Sequence, residues 1–138
     1  MKAFPKVFGL IGNYAPIMAE MDAEELCVIE GELPEGLNGT LYRNGFNLMY
    51  PPLAEEHNWL LGEGMVHAIR VENGKVSYRN RYVQTEQYKA QRKAGRRLLL
   101  TTVHEPPAEG GENVPRNFGS INAIFHSGRL FVPDEWSR

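Results

Sequence analysis

Two runs of alternating side chains joined by a tight-turn sequence limit most strongly what this chain can fold into. In MVHAIRV (65–71), the residues Met, His, Ile and Val fall on one face and the rest on the other, which is the period of a β-strand. ENGK follows and leads into VSYRNRYV (76–83), and Asn-Gly is a pair that two-residue hairpin turns favour. We therefore predict an antiparallel hairpin over residues 65–83 that turns at Asn73-Gly74.

The rest of the chain also contains short runs that are separated by turn sequences. ELCVIEGELP (25–34) and GTLYRNG (39–45) are short runs separated by glycine turns, and each predicts a strand. INAIFHSGRLFV (121–132) predicts a second hairpin around Ser-Gly. TEQYKAQRKAGRRLLL (85–100) begins with helix formers and becomes apolar after a glycine, which predicts a mixed helix and loop connection. The segment 105–120 is rich in proline and glycine, so we expect it to be irregular and exposed.

These elements predict an all-β fold. Hairpins at this spacing suit a β-propeller, a sandwich or a barrel, and no exact internal repeat selects among the three. The chain has 138 residues, of which 42% are hydrophobic and 23% charged, which is typical of one soluble domain or of a piece of a larger one.

The net charge indicates which partners this chain is expected to bind, and the cysteine content indicates in which compartment it is expected to function. A formal net charge of -2 gives no overall attraction to nucleic acid or to anionic lipid. The one cysteine, Cys27, cannot form an internal disulfide and fits a reducing compartment, so we expect a cytoplasmic location. The N-terminus has no apolar core of signal-peptide length, and no run approaches the roughly 20 apolar residues of a membrane helix.

Several residues have side chains that carry out chemistry in other proteins. His67 lies in strand alternation with apolar neighbours, where a hydrogen-bonded core histidine is commoner than a metal ligand. Glu63 lies between two glycines, and a turn carboxylate that accepts backbone N–H bonds is commoner there than a catalytic acid. His57, His104 and His126 have no partner at the short spacings of metal motifs. We therefore expect no metal site made by this chain alone.

The stretch KAQRKAGRR carries five basic residues ahead of three leucines: Lys89, Arg92, Lys93, Arg96 and Arg97. The commonest role of such a stretch is a solvated connection, and we expect that role here. Peripheral contact with anionic lipid is the alternative. Nucleic acid is disfavoured because no aromatic residues lie between the basic ones.

Four segments in order resemble the N-terminal part of the carotenoid cleavage oxygenases. They are IGNYAP (11–16), EMDAEELCVIEGELPEGLNGTLYRNGFN (20–47), GEGMVHAIRVENGKVSYRNRYVQTEQY (62–88) and HSGRLF followed by Glu135. The resemblance covers nearly the whole chain and implies a seven-bladed β-propeller. It also implies a mononuclear Fe(II) centre held by four histidines, and cleavage of a conjugated C=C bond by O2 into two carbonyl products. The implied substrate is an apolar polyene or a stilbene-like molecule.

The resemblance also assigns a role to one residue of this chain. The family has a glutamate at the end of the strand that matches HSGRLFVPDE, and that position is Glu135. Such a carboxylate accepts a hydrogen bond from the free ring nitrogen of an iron-ligating histidine and fixes the orientation of the ring. The alternative for Glu135 is a solvated acid at the end of a strand. None of the four histidines of this chain matches a ligand position of the family, so the resemblance assigns no metal ligand and no catalytic residue here.

The chain departs from the family at two loops. Phe46-Asn47-Leu48 stands where the family usually has Pro-Asn-Pro, and Leu60 and Leu61 stand where it usually has Phe-Asp. We interpret residues 1–138 as a single N-terminal portion of such an enzyme, without the iron ligands and inactive alone. An incomplete propeller would leave strand edges open and favour self-association. The alternative is a non-catalytic small β-protein that binds a lipid or a protein partner.

Overall fold

Four antiparallel strands form the main sheet of the structure, in the order β1-β4-β3-β2. The structure is a computed structural model, and it describes residues 3–53, 58–99 and 106–135. The strands of this sheet are β1 (Asp22–Ala23), β2 (Gly39–Asn47), β3 (Glu63–Glu72) and β4 (Lys75–Tyr82).

The hairpin predicted over residues 65–83 is confirmed as β3 and β4. The two strands pair antiparallel from Met65 opposite Tyr82 to Glu72 opposite Lys75. The turn residues Asn73 and Gly74 have φ angles of 51° and 73°, the left-handed conformation that a turn of this type requires of both central residues. The local turn sequence and the strand alternation therefore predicted this hairpin correctly.

The strand predicted at residues 39–45 is also confirmed, and as β2 it extends two residues further, through Phe46 and Asn47. The second predicted hairpin is present as β5 (Ile124–His126) and β6 (Arg129–Phe131), which form a separate two-stranded sheet. Its turn residues Ser127 and Gly128 have φ angles of 49° and 75°.

The second sheet lies against β2 of the main sheet. The rings of Tyr42 on β2 and Phe125 on β5 stack with centroids 6.2 Å apart and planes 13° apart. The Asn44 side-chain amide donates to the carbonyl oxygens of Gly119 (2.9 Å) and Asn122 (3.1 Å). Stacking and hydrogen bonds together place the β5–β6 hairpin on the face of the main sheet that Tyr42 and Asn44 share.

The predicted mixed connection contains one helix, α1 (Glu86–Ala94). The Thr85 hydroxyl accepts from the Tyr88 N–H at its N-terminus, and Gly95 ends it with a φ of 66°. Tyr88 stacks on Tyr82 of β4, with ring centroids 5.1 Å apart, and both pack with Met65 in the buried core. This contact docks the helix on the end of the sheet. No helix among the described residues is long and apolar enough to cross a membrane.

The strand predicted at residues 25–34 is wrong. Beyond β1, the Leu26 N–H donates to the Val76 carbonyl oxygen (2.8 Å), and the segment then leaves the sheet as exposed coil. Ile29 is 98% exposed. The composition favours a strand, but a strand needs a neighbouring strand, and none of the described residues supplies one beyond Leu26.

The expectation for residues 105–120 is confirmed in part. The described residues 106–120 form no helix or strand, but Phe118, Gly119 and Ser120 are buried. The reason is a hydrogen bond from the Gly64 N–H to the Phe118 carbonyl oxygen (2.7 Å), which ties this segment to the start of β3. The prediction of exposure was therefore wrong for its C-terminal part.

Candidate functional site

A buried carboxylate stands at the start of β3. A single 3-10 turn (Trp59–Leu61) precedes the strand, and Glu63 follows it with only 1% of its surface exposed. Glu63 Oε2 accepts from the Met49 N–H at 2.9 Å. Glu63 Oε1 accepts from the side-chain amides of Gln91 (2.5 Å) and Gln87 (3.3 Å), both on α1. The carboxylate therefore joins the sheet to the helix and to the chain after β2.

Arg97 is the cationic partner of this carboxylate. It is 1% exposed, and its Nη1 lies 3.5 Å from Glu63 Oε1. Its Nε donates to the Leu99 carbonyl oxygen (2.9 Å) and its Nη2 to the Leu61 carbonyl oxygen (3.0 Å). A buried charge requires an oppositely charged partner and hydrogen bonds, and Arg97 has both. We call the four side chains Glu63, Gln87, Gln91 and Arg97 the carboxylate network.

The prediction that Glu63 accepts backbone N–H bonds is confirmed by Met49. Sequence reasoning missed the side-chain partners because they are far away in sequence and become neighbours only when α1 docks. One signal was available: Gln87 and Gln91 are four residues apart and so share a face of a helix. Since every described contact of the carboxylate is internal, we interpret Glu63 as a residue that joins elements rather than as a catalytic acid.

The basic stretch is less uniform than its sequence indicates. Arg97 is buried, so the expectation of a solvated residue is wrong there. Lys89 pairs with Glu86 at 2.8 Å, and Arg96 donates to the Glu109 carbonyl oxygen at 2.7 Å. Arg92 donates to the Tyr88 hydroxyl at 2.5 Å. Most of these cations are therefore engaged within the chain, which weakens the case for a lipid-binding patch.

A cleft of about 390 Å³ lies between the N-terminal segment and one face of the sheet. Leu10, Tyr14, Ile17 and Phe46 contribute to its apolar lining. Its polar lining residues include His67, Tyr78 and Arg43.

The hydrogen bond of His67 identifies the role of this residue. His67 Nδ1 and the Tyr78 hydroxyl oxygen are 2.7 Å apart, across neighbouring strands. Burial, together with the positive charge of Arg43, lowers the pKa of His67 below its ordinary value. Both effects favour the neutral imidazole. The prediction of a hydrogen-bonded scaffold histidine agrees with this geometry.

The lowered pKa of His67 predicts how stability depends on pH. As the pH falls below the ordinary value of 6.5, the unfolded chain binds a proton that the folded chain does not, so the folded state loses stability until the lowered pKa is reached. We expect His67→Gln to reduce this loss, measured as the free energy of unfolding in urea between about pH 7.5 and about pH 5. His126→Gln, at an exposed histidine of β5, is the control and should leave the pH dependence as it is. An unchanged pH dependence in His67→Gln would contradict the assignment.

The described residues do not fit an iron centre built of four imidazoles. They contain no group of three or more His, Cys, Asp or Glu side chains that could hold a metal ion. His67 is bonded to Tyr78, and His126 is exposed on β5. His57 and His104 lie outside the described residues. The expectation that this chain makes no metal site alone stays a prediction.

Glu135 lies at the end of the described residues and is exposed. Its neighbour Asp134 accepts from the Phe118 N–H at 2.6 Å, which ties the chain after β6 to the buried segment before β5. The structure therefore gives Glu135 a fixed neighbour, and neither described histidine, His67 or His126, is hydrogen-bonded or ion-paired to it in the part of the chain that the structure describes. Its role beside an iron ligand stays a prediction.

Comparison with known proteins identifies the family. A family profile described as "RPE65: Retinal pigment epithelial membrane protein" matches residues 14–137. The chain is 33% identical over 137 residues to lignostilbene-alpha,beta-dioxygenase isozyme III of Sphingomonas paucimobilis, covering 98% of this chain and 28% of that protein. It is 40% identical over 80 residues to carotenoid 9,10(9',10')-cleavage dioxygenase 1 of Pisum sativum, covering 58% of this chain and 15% of that protein.

Solved structures agree. The crystal structure of Pseudomonas brassicacearum lignostilbene dioxygenase superposes with a TM-score of 0.83 at 33% identity, covering 94% of this chain and 27% of that one. A variant of Synechocystis apocarotenoid oxygenase gives a TM-score of 0.70 at 28% identity, covering 87% of this chain and 26% of that one. This chain is mostly β, with antiparallel sheets, and it matches these relatives in sequence and in structure. It therefore belongs to the RPE65 and carotenoid cleavage dioxygenase family. The chain spans about a quarter of the length of the lignostilbene dioxygenases that it matches.

Proposed function

We propose that this chain provides the first part of the scaffold of a dioxygenase that cleaves a conjugated C=C bond with O2 into two carbonyl products. The observation that carries the proposal is the match to lignostilbene dioxygenases over nearly the whole chain, in sequence and in structure. Relatives named for lignostilbene, resveratrol and carotenoids support an apolar polyene or a stilbene-like substrate.

The architecture in this proposal is the opening of a seven-bladed β-propeller. Propeller blades are four-stranded antiparallel sheets that pack face to face around an axis. The β1-β4-β3-β2 sheet has the strand number of one blade. In this proposal the β5–β6 hairpin is the beginning of a second blade, and the stacking of Phe125 on Tyr42 supports that role.

The iron ligands in this proposal come from sequence that these 138 residues do not contain. Neutral imidazoles suit Fe(II), and the family resemblance implies four of them. Of the described histidines, His67 is hydrogen-bonded to Tyr78 and His126 is exposed on β5. Neither belongs to a group of three or more His, Cys, Asp or Glu side chains among the described residues. In the proposed enzyme, this chain therefore forms part of the packed scaffold. The Glu135 carboxylate orients an iron-ligating imidazole that lies outside these 138 residues.

A cytoplasmic location is part of the same proposal. The free thiol of Cys27 is exposed, which suits a reducing compartment. Peripheral membrane contact is a weaker part, because most cations of the basic stretch are engaged by Glu86, Glu109 and Tyr88.

A non-catalytic small β-protein that binds an apolar or protein partner is the second candidate. Exposed apolar side chains favour it, in particular Phe8 (76%), Met18 (64%) and Ile29 (98%). This candidate predicts a stable monomer or complex with no contribution to dioxygenase chemistry.

A chimera separates the two candidates. The matched quarter of Pseudomonas brassicacearum lignostilbene dioxygenase is replaced by this chain, and the bound iron and the aldehyde products from a stilbene are measured. We expect the chimera to hold iron and to cleave the stilbene. A folded chimera with iron and no turnover, or one without iron, would contradict the dioxygenase scaffold.

The same chimera tests Glu135. We expect Glu135→Gln to lower iron affinity or the rate of cleavage by about 10 to 100-fold, because an imidazole loses the carboxylate that orients it. Glu112→Gln, at an exposed glutamate of the loop before β5, is the matched control and should have no effect. Iron content, turnover and unfolding temperature are measured for both. Unchanged iron affinity and turnover in Glu135→Gln would overturn the assignment.

A further inference from the structure

Three asparagines of this chain are each followed by a glycine: Asn38, Asn44 and Asn73. In such a pair, the backbone nitrogen of the glycine can attack the asparagine side chain, because glycine has no Cβ that hinders the approach. The attack requires an asparagine side chain that can turn towards its own backbone and a glycine N–H that is free of other bonds. The three pairs have the same local chemistry, and their structural surroundings distinguish them.

Asn73-Gly74 forms the two-residue turn between β3 and β4, and both residues are exposed. Glu72 and Lys75 form the last pair of the ladder, so the Gly74 N–H takes no part in it. The Asn73 backbone N–H donates to Asn38 Oδ1 at 3.0 Å. Within the described ranges, the Asn73 side-chain amide makes no hydrogen bond. This pair therefore has both a free side chain and a free nucleophile.

Asn44-Gly45 is held in place by its neighbours. The Asn44 side-chain amide donates to the carbonyl oxygens of Gly119 (2.9 Å) and Asn122 (3.1 Å). Both residues of the pair also lie within β2 and are paired with β3. Attack by the Gly45 nitrogen would require the two side-chain hydrogen bonds and the local strand pairing to break.

Asn38-Gly39 is intermediate between the other two pairs. Asn38 Oδ1 accepts from the Asn73 N–H, and Asn38 Nδ2 donates to the Gly36 carbonyl oxygen at 3.3 Å. Both hydrogen bonds are at the surface, where water competes for the same groups. The side chain of Asn38 is therefore restrained less than that of Asn44 and more than that of Asn73.

The surroundings of the Asn73-Gly74 turn do not depend on further blades. β3 and β4 are the two central strands of the sheet, and the turn stands at one end of this pair. In the proposed propeller, blades are repeated around an axis and meet through the faces of their sheets. A turn at the end of two central strands lies on neither a face nor an edge.

We propose that Asn73 is a site of spontaneous modification in the folded chain, where its amide is converted to a carboxylate ahead of Asn38 and Asn44. The Gly74 nitrogen loses its proton to solvent and bonds to Asn73 Cγ, and the side-chain nitrogen leaves as ammonia, which gives a cyclic succinimide. Water then opens the ring. Opening at Cγ gives aspartate, and opening at the backbone carbonyl carbon gives isoaspartate, whose main chain runs through Cβ and Cγ.

The two products differ in their effect on the hairpin. Aspartate tolerates the left-handed conformation that Asn73 adopts, with a φ of 51°, so it retains the turn. Isoaspartate lengthens the main chain in a turn whose length sets the register of β3 on β4. The hydrogen bond between His67 and Tyr78 depends on that register. Isoaspartate at this position therefore loosens the hairpin.

Peptide mapping by mass spectrometry tests the order of reaction. The folded chain is held at mildly alkaline pH, and conversion of amide to acid is followed at the three sites. We expect Asn73 to convert at least about 10-fold faster than Asn44, whose two side-chain hydrogen bonds must break first, and Asn38 to lie between them. All three rates should converge in the urea-unfolded chain. A protease that cleaves before aspartate and not before isoaspartate separates the two products.

Asn73→Gly is the control for the effect on the hairpin, because glycine also adopts the left-handed conformation and carries no amide. After the same incubation, the unchanged chain should unfold at a lower urea concentration than when fresh, and Asn73→Gly should unfold where it did before. The proposal is overturned if Asn38 or Asn44 converts as fast as Asn73 in the folded chain, if Asn73 stays an amide there, or if urea leaves the order unchanged. An unfolding midpoint that does not move as isoaspartate accumulates would refute the effect on the hairpin.

Discussion

Glu63→Gln is expected to lower the free energy of unfolding by about 3–5 kcal/mol, because it leaves the Arg97 charge buried and uncompensated. Both side chains are 1% exposed. The side-chain amides of Gln87 and Gln91 donate to Glu63 Oε1, and Arg97 Nη1 lies 3.5 Å from the same oxygen. Glutamine would direct its amide nitrogen at one of the groups that donate to the carboxylate. The loss is measured by urea unfolding of the 138-residue chain.

A double-mutant cycle distinguishes the ion pair from general damage to the core. Arg97→Met alone should also destabilise, because Glu63 then loses its cation. Glu63→Gln combined with Arg97→Met should lose markedly less than the sum of the two single changes, since neither charge remains buried alone. Glu112→Gln is the surface control, with an expected change within about 0.5 kcal/mol. Simple additivity in the cycle would show that the two side chains act independently and would refute the carboxylate network.

Gly64→Ala is the second change with a large expected effect. A Cβ at this position would lie 1.9 Å from the Gly119 carbonyl oxygen and 2.7 Å from the Phe118 carbonyl oxygen. Both atoms belong to backbone, so β3 and the segment before β5 would have to separate. The 2.7 Å bond from the Gly64 N–H to Phe118 would then be lost. We expect a loss of about 3 kcal/mol, the sum of the overpacking and the broken hydrogen bond.

Gly45→Ala is the matched control for this change. Gly45 is in β2 of the same sheet, directly opposite Met65, and a Cβ there would meet nothing within 4 Å. We expect its unfolding free energy to stay within about 0.5 kcal/mol of the unchanged chain. Equal effects of the two substitutions in urea unfolding would show that residues 118–119 do not pack against β3 as described.

The correct predictions share one property, which is that their determinants are local. Asn73-Gly74 and Ser127-Gly128 each set a left-handed turn within four residues, and alternation then set the strands on either side. The mixed helix and loop connection over residues 85–100 was predicted for a similar reason, from its helix formers and Gly95, and the structure contains α1 there.

The wrong predictions depend on contacts between distant parts of the chain. Residues 25–34 have the composition of a strand, but strand formation depends on a neighbour, and the described residues provide one only as far as Leu26. Arg97 lies in a basic stretch, yet it is buried because Glu63, 34 residues earlier, receives its charge. Neither outcome is visible in a window of sequence.

The sequence predicted some features of the candidate site and not others. Alternation was enough to place His67 inside the sheet, but the Tyr78 hydroxyl became its partner only through the register of β3 on β4. The family match extends to residue 137 and so includes Glu135, although the imidazole that it would orient has no counterpart among the described residues.

We propose that this chain provides scaffold and not iron ligands, and the most direct test of that proposal is the metal content of the purified 138-residue chain. The chain is prepared without oxygen, titrated with Fe(II), freed of excess metal and analysed for bound iron, and then assayed under O2 for carbonyl products from a stilbene and a carotenoid. We expect no tightly bound iron and no cleavage, because the described side chains gather no ligand set. One iron per chain together with turnover would contradict the account and would make ligands of histidines that we interpret as scaffold.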